Sequence, residues 1–433
     1  MSGFLAGVGR EDITPEVGAV LQGYAPGRPS TSIHDRLNLT AFAFEYEGVR
    51  AIVASADLIL IAEPLVGDIR RAMSEASGVP YDNIVISATH THSGPVMHHM
   101  PGNYPVDNDY LEHKLVTCAA RAAAAAVESL RPAQLGVGVT LSDVGVNRRQ
   151  IEEDGTVTLG QNPFGSYDPR MTVVSFREPG GAPIGNMIHY GAHNTASGSG
   201  GEITRDWCGV AIDRLEAISG GVTAFFNGCE GDCGPRLPNG RTGGDIEMAM
   251  ELGGRAAIDA VRAWRSIREW RSDCEVRTVT GIVALPHKPA QTREELLARR
   301  EELGDPKRLS GLWDTEYKLL QERLAALERG DSCPEAFEIR QSVVSVGGVA
   351  FLPIPFETFS GITLRIGQYS PFAYTLSLSN ANGSMEYFPS QDQICRGGYE
   401  VWMFGAMWLY PLVDNSDQHY INGAVKLLRE LHG

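Results

Sequence analysis

One stretch constrains this 433-residue chain more than any other: Asn83-Ile-Val-Ile-Ser-Ala-Thr-His90-Thr-His92-Ser-Gly-Pro95. It begins as a short apolar run rich in β-branched residues, the pattern of a buried strand. It closes on two histidines one residue apart and then on Ser-Gly-Pro, a turn signal. Residues i and i+2 of a strand point to the same side, so His90 and His92 are expected to face one site. A hydrogen-bonded surface pair is the competing reading. The carboxyl end of a strand is also where open α/β sheets gather their chemistry.

Composition narrows the partners. With 43% hydrophobic and 21% charged residues the chain reads as a soluble globular protein, and no apolar run approaches the ~20 residues of a membrane helix. The first residues carry no basic segment followed by an apolar core, so they are not a secretory signal, and a cytoplasmic enzyme is expected. A net charge of −16 argues against nucleic acid and against stable membrane association; a homo-oligomer stays open. Seven thinly spread cysteines do not make a disulfide framework. Cys118, Cys208, Cys274, Cys333 and Cys395 read as small buried apolar groups. Cys229 and Cys233 lie on a Gly-rich loop; they are buried thiols, a labile disulfide or metal ligands without a second pair to complete a zinc set.

Along the chain, strands are expected at Leu39–Glu47, Val49–Leu60, Gln134–Gly145, Met171–Arg177, Val222–Phe226, Ser342–Pro353 and Tyr374–Ser379. Helices are expected at Pro64–Ser77, Asn108–Leu130, Asp206–Ile218, Gly244–Ile267 and Asp414–Leu431. Asn147–Asp168 is turn-rich. Residues 290–330 read as an inserted helical hairpin, begun by a Thr292/Glu295 capping box and polar enough to imply little core burial. The prediction is an α/β fold: a mixed β-sheet core flanked by helices, as a single domain over residues 1–433.

Polar groups close several of these strands: Asp57, His90 and His92, His193, Asp232 and Glu357. Two imidazoles and one carboxylate suit a catalytic zinc, which leaves a position open for water. Asp57 and Asp232 would orient a histidine through its second nitrogen or merely cap turns. His34, Asp35 and Arg36 form either a solvated ion cluster or the rim of a site.

The string Ser87-Ala-Thr-His90-Thr-His92-Ser-Gly-Pro95 resembles the hallmark of the neutral/alkaline (non-lysosomal) ceramidases, zinc-dependent amidases. The resemblance continues in order through Asp12-Ile-Thr, Gly23-Tyr24-Ala, Asn147-Arg148, His193, Gly231-Asp232-x-x-Pro235, Phe356-Glu357-Thr358, Tyr387 and Tyr399-Glu400. It implies His90, His193, Glu357 and Tyr387 as zinc ligands, His92 beside the metal as proton shuttle or donor to the carbonyl, and Arg148 near the site. It also departs from the family pattern. Gly234 stands where the family's Gly-Asp-x-Ser-Pro loop has a serine implicated in catalysis, which removes a covalent serine route there. Val96-Met-His98-His99 replaces the usual glycines, and these histidines would line a pocket, hold a second metal or lie exposed. The secretory signal and carboxyl-terminal β-sandwich of secreted ceramidases are not seen, which weakens the inference to ceramide itself.

The resulting expectation is a zinc hydrolase that cleaves an N-acyl or cyclic amide in a small-molecule substrate. Tyr387 and His92 would stabilise the oxyanion, Asp232 would support the site and Arg148 would hold a polar part of the substrate. Cys233 is an alternative nucleophile. Ester, lactone or phosphate hydrolysis at the same zinc is a rival, as is a metal-binding module without turnover.

Overall fold

A computed structural model describes residues 3–24, 27–98, 106–309 and 311–433. Its sheets repeat one plan three times. Leu5–Asp12, Asn38–Tyr46, Val49–Ala56 and Ile84–Ala88 lie side by side in chain order, the first three antiparallel and the last parallel to its neighbour. Gln134–Leu141, Arg170–Arg177, Pro183–Tyr190 and Val222–Asn227 do the same. So do Val276–Pro286, Ala336–Val346, Val349–Pro353 and Tyr374–Leu378.

In each unit a helix makes the crossover that a parallel pair requires: Leu65–Ser77, Asp206–Ser219 and Ser360–Tyr369. A second helix then packs back onto the first strand: Val116–Glu128, Ile246–Arg265 and Ser416–His432. The approach is close. A Cβ at Gly9 would collide with the Ala122 carbonyl, and one at Gly138 with the Ala263 carbonyl, so the strand needs glycine where the helix backbone comes this near. The prediction of a mixed α/β core flanked by helices is met.

The parallel strands of the three sheets meet one another. Ser55 Oγ donates to the Phe225 carbonyl, His189 Nε2 lies 2.9 Å from the Ser377 carbonyl, and Ser87 Oγ donates to the Ser379 carbonyl at 3.2 Å. The carboxyl ends of all three parallel pairs therefore open on one place. The connection between first and second strand in each unit (residues 13–37, 142–169 and 287–335) is long, and each reaches back to that place, as described below.

Several expectations change. The turn-rich segment 147–168 contains most of an antiparallel pair, Gly145–Ile151 with Val157–Asn162; Arg148 and Arg149 are buried in ion pairs with Glu400, and much of Val157–Asn162 faces solvent. Ser342–Pro353 is two strands, broken at Gly347 and Gly348, whose φ of 54° and 89° only glycine adopts readily. The strand Val276–Pro286 escapes the sequence reading because Arg277, Thr278, Thr280 and Gly281 interrupt its apolar alternation. The inserted hairpin is present as Arg293–Leu303 and Leu312–Arg329, with both bonds of the Thr292/Glu295 capping box. It nevertheless buries three leucines of its own, Leu296, Leu320 and Leu324, as well as Glu316 and Arg323. No helix among the described residues is long and apolar enough to cross a membrane.

Asp57, at the end of Val49–Ala56, accepts from the Asn38 backbone N–H at 2.8 Å. Burial pushes its carboxyl up to about 6, against the pull of Arg205. The folded state therefore keeps the proton to higher pH than the unfolded chain does, and stability falls as pH rises from about 4 to 6. Asp57→Asn is expected to remove a penalty of about 3 kcal/mol above pH ~6 and nothing below pH ~4. Denaturant midpoints across that range check it; a pH-independent difference between the proteins contradicts it.

Candidate active site

The strand Ile84–Ala88 stops two residues short of His90. His90 has φ 66°, a left-handed conformation uncommon outside glycine, held by its own N–H on the Leu58 carbonyl (2.9 Å) and Nδ1 on the Ile59 carbonyl (2.8 Å). The two histidines thus share a site because the chain bends at His90, not because a strand alternates: their Nε2 atoms are 3.2 Å apart. His193 follows the strand Pro183–Tyr190. Its Nδ1 faces the Glu230 and Cys233 carbonyls at 2.9 and 3.1 Å, and its Nε2 lies 3.1 Å from Glu357 Oε2. Glu357 opens a two-residue parallel ladder with Tyr387, and its Oε2 is 3.5 Å from His90 Nε2.

These groups fit a metal ion. In each imidazole a carbonyl occupies Nδ1, which fixes the tautomer with the lone pair on Nε2, the usual arrangement of metal-bound histidine. Ligands ~2.0–2.1 Å from a tetrahedral ion lie about 3.4 Å apart, close to the 3.1 and 3.5 Å measured from Glu357. Two overlapping groups, His90/His92/His193 and His90/Glu230/Glu357, each bring their ligand atoms within 4.8 Å of one another.

The electrostatics follow from burial and mutual charge. Burial alone would raise the Glu357 carboxyl, yet His90 and His193 hold it well below the usual range. Burial lowers His92 well below its ordinary value, and any proton taken up by His90 or His193 beside it would push the same way. Burial and then Arg148 lower His193 to about 3. The Tyr387 hydroxyl is raised well above its ordinary value by burial and, past the opposing Arg148, by Glu357.

His92 Nδ1 lies 3.1 Å from the Gly23 carbonyl. Gly23, at φ 117°, abuts the ring so closely that a Cβ would fall 2.5 Å from it; the Gly23-Tyr24 motif is thus a mould for this histidine. Arg148 is buried, with Nε 3.0 Å from Glu400 Oε1 and its guanidinium 5.2 Å from the centre of the Tyr387 ring. It is bound in an ion pair, is not among the residues that line the cavity, and lies behind the Tyr387 ring.

Other expected residues fall elsewhere. Neither Asp57 nor Asp232 reaches a histidine nitrogen. Asp232 accepts from the N–H and hydroxyl of Ser360 at 2.7 and 3.0 Å, capping the crossover helix of the third unit. Asp35 binds Arg205 and Thr204, and Arg36 binds Asp12, as an ion cluster away from the cavity. Cys229 and Cys233 are buried free thiols, raised well above their usual value by burial, which disfavours Cys233 as a nucleophile. His98 lines the cavity; His99 lies outside the described residues.

Glu230 and Glu386 are absent from the sequence reading. Glu230 is fully buried; Oε1 accepts from Asn380 Nδ2 at 2.8 Å, Oε2 has no partner among the described residues, and burial raises its carboxyl to about 8. Asn380 Nδ2 is also 3.3 Å from His90 Nδ1. His90, Glu230 and Asn380 each follow the last strand of their unit by two or three residues, so the repeated plan itself points to Glu230. Glu386 lines the cavity beside Tyr387, raised to about 7 by burial and Glu357. The cavity over the site holds about 260 Å³.

Residues 4–245 match the model of the neutral/alkaline non-lysosomal ceramidase N-terminal region. The chain is 28% identical over 267 residues to neutral ceramidase A of Dictyostelium discoideum, covering 56% of this chain and 37% of that protein. It is 29% identical over 248 residues to neutral ceramidase of Pseudomonas aeruginosa, covering 53% and 37%. These matches thus span little more than a third of the length of the relatives. The crystal structure of the Pseudomonas aeruginosa enzyme superposes with a TM-score of 0.73 at 21% identity, covering all of this chain and 75% of that one. A structure described as ceramidase complexed with C2 gives 0.74 at 19% identity, covering all of this chain and 76% of that one. On the match over 4–245, more than half of its length, the chain belongs to the neutral/alkaline non-lysosomal ceramidase family.

Proposed function

We propose that the chain is a zinc-dependent hydrolase of an amide bond, N-acyl or cyclic, acting on a small or medium-sized soluble substrate by direct attack of water. The observation that carries this reading is the convergence of His90 Nε2, His193 Nε2 and Glu357 Oε2 beneath a cavity. Relatives named as ceramidases support an amide as the bond cleaved. His90, His193, Glu357 and Tyr387 would hold the ion. When bound, zinc supplies Lewis acidity toward a carbonyl oxygen and toward water.

The protein's own groups do the rest. His92, its Nδ1–H fixed on the Gly23 carbonyl, presents Nε2 to take the proton of the attacking water and return it to the leaving nitrogen. The Tyr387 hydroxyl donates to the carbonyl oxygen as it gains charge, and Arg148 against the ring keeps that hydroxyl in place. Gly234 offers no hydroxyl to form a covalent intermediate.

Metal analysis of the purified protein, followed by a panel of N-acyl amides, cyclic amides, esters and lactones, tests the proposal. About one zinc per chain with amide turnover is expected. Turnover of esters alone would overturn the amide assignment, and bound zinc with no acyl turnover would overturn the enzyme. Gly23→Ala is expected to displace His92 and lower kcat/KM about 100-fold, the scale of a 1 Å misplacement, with zinc content unchanged. Wild-type rates in that variant would remove His92 from proton transfer.

A further inference from the structure

The cavity over the site is uneven in charge. Its lining holds two carboxylates, Glu357 and Glu386, and neither lysine nor arginine among the described residues. Glu357 is taken by His90 and His193. Other polar groups of the wall are engaged with the protein as well: Gln22 Oε1 accepts from the Met97 N–H at 2.8 Å, and Ser384 Oγ donates to Asn380 Oδ1 at 2.7 Å. Arg148, behind the Tyr387 ring, is paired with Glu400.

Glu386 is the exception. It precedes the short strand Tyr387–Phe388, lines the cavity, and has no hydrogen-bond or ion-pair partner among the described residues. The charged group that acts on it, Glu357, is negative too. A carboxylate that faces a cavity without a counter-charge carries its desolvation cost until something positive binds. Tyr399 stands in the same lining, its ring 5.6 Å from that of Tyr387 and 6.3 Å from that of Trp402. Burial and then Glu357 raise its hydroxyl, and Glu386 adds to them, so the carboxylate acts on the space beside that ring. The third long connection, 287–335, reaches the same wall: Gly311 and Leu312 line the cavity, and Leu312 packs with Tyr399 on the cluster of Phe359, Tyr387 and Met403. A carboxylate together with an electron-rich ring suits an ammonium group.

We propose that Glu386 forms a cation subsite, and that the substrate carries a protonated amino group a few bonds from the amide that is cleaved. The chemistry rests on the amidase reading of the site; the subsite itself does not. An ammonium group bound there gains a charge-assisted contact with Glu386, whereas a carboxylate in the same place meets two acids and no base.

Two measurements on the zinc-loaded full chain test this, both on the alkaline side of neutrality, where Glu386 is ionised. The first is kcat/KM for matched amides that carry, on the acyl half or on the amine half, an ammonium, a methyl or a carboxylate group at one position. Wild type is expected to favour the ammonium member over the methyl member of at least one set about tenfold or more, the scale of a hydrogen bond to a charged group, chiefly through KM. Glu386→Gln should abolish that preference, and Glu386→Lys should turn it towards the carboxylate member. The second is calorimetric binding of choline against the uncharged alcohol in which carbon replaces its nitrogen. A quaternary ammonium cannot ligate the metal, so a preference for choline that Glu386→Gln removes reports the subsite without turnover. The wild-type comparisons stand whether or not a variant folds. Amide turnover with no preference for the ammonium member in either set, or a preference that survives Glu386→Gln, overturns the inference and leaves the amidase reading intact. A choline preference that depends on Glu386, without hydrolysis of any amide, overturns the amidase reading and keeps the subsite. Equal binding of the two probes with no turnover overturns both.

Discussion

Replacing His193 with Ala is expected to strip the protein of zinc and to lower kcat/KM on its amide substrate by more than about 10³-fold. Loss of a single oxyanion donor already costs about 10²–10³, and here the loss removes one of the proposed metal ligands. The Nε2 of His193 is 3.1 Å from Glu357, and two backbone carbonyls fix the ring from behind. His92→Ala is the informative contrast. It should keep its zinc and lose about 10²–10⁴-fold in rate, because it removes a proton carrier and leaves the ligands in place. Chelation provides a second readout: a folded-state ligand stabilises by mass action, so a chelator should lower the melting temperature of wild type and of His92→Ala but not of His193→Ala. Full zinc content in His193→Ala would break the ligand assignment, and with it the proposed chemistry.

The candidate ligand loops were legible through their ordered resemblance to the ceramidase motifs, since no spacing rule joins segments so far apart in the chain. Ala-Thr-His90-Thr-His92-Ser-Gly-Pro and Phe356-Glu357-Thr358 are short strings whose residue types cannot be exchanged without losing the donors. The geometry behind them was not. His90 and His92 converge through a positive φ that no period-two pattern encodes. Asp232 lies in a motif shared with the family, yet its carboxylate is spent on Ser360; sequence order cannot tell a cap from an orienting group. Glu230 carries no motif, and its place beside His90 emerges only when three units of one topology are laid side by side. That repetition is invisible in the residues themselves, since each strand need only be apolar, and the connections that differ most between units are those facing the site. The hairpin shows the same limit. Its charges predict solvation, but Glu316 and Arg323 are turned inward to bind Trp402 and the 406–409 carbonyls.

Glu400→Gln is expected to destabilise the fold by about 3–5 kcal/mol, the range for removing one partner of a buried ion pair. Glu400 is 1% exposed and holds two guanidinium groups at once, Arg148 Nε at 3.0 Å and Arg149 Nη1 at 2.8 Å. The substitution keeps the shape and removes the only charge that both share. Arg148 is poorly placed to recover, because its Nη2 is buried without a partner among the described residues. Arg149 has alternatives in the Gln393 side chain and the Gly397 carbonyl, so the damage should fall on Arg148 and therefore on Tyr387, the ring it underlies. The activity that survives at low temperature should then show a reduced kcat, with zinc content lowered only as far as Tyr387 contributes to holding the ion, because Glu400 is bound to Arg148 and Arg149 rather than to His90, His193 or Glu357. Denaturant unfolding and metal analysis of the same preparation separate these effects. A stability within about 1 kcal/mol of wild type, the range of an exposed pair, would mean that water reaches the network. Tyr387 would then be positioned by its ladder with Glu357 alone.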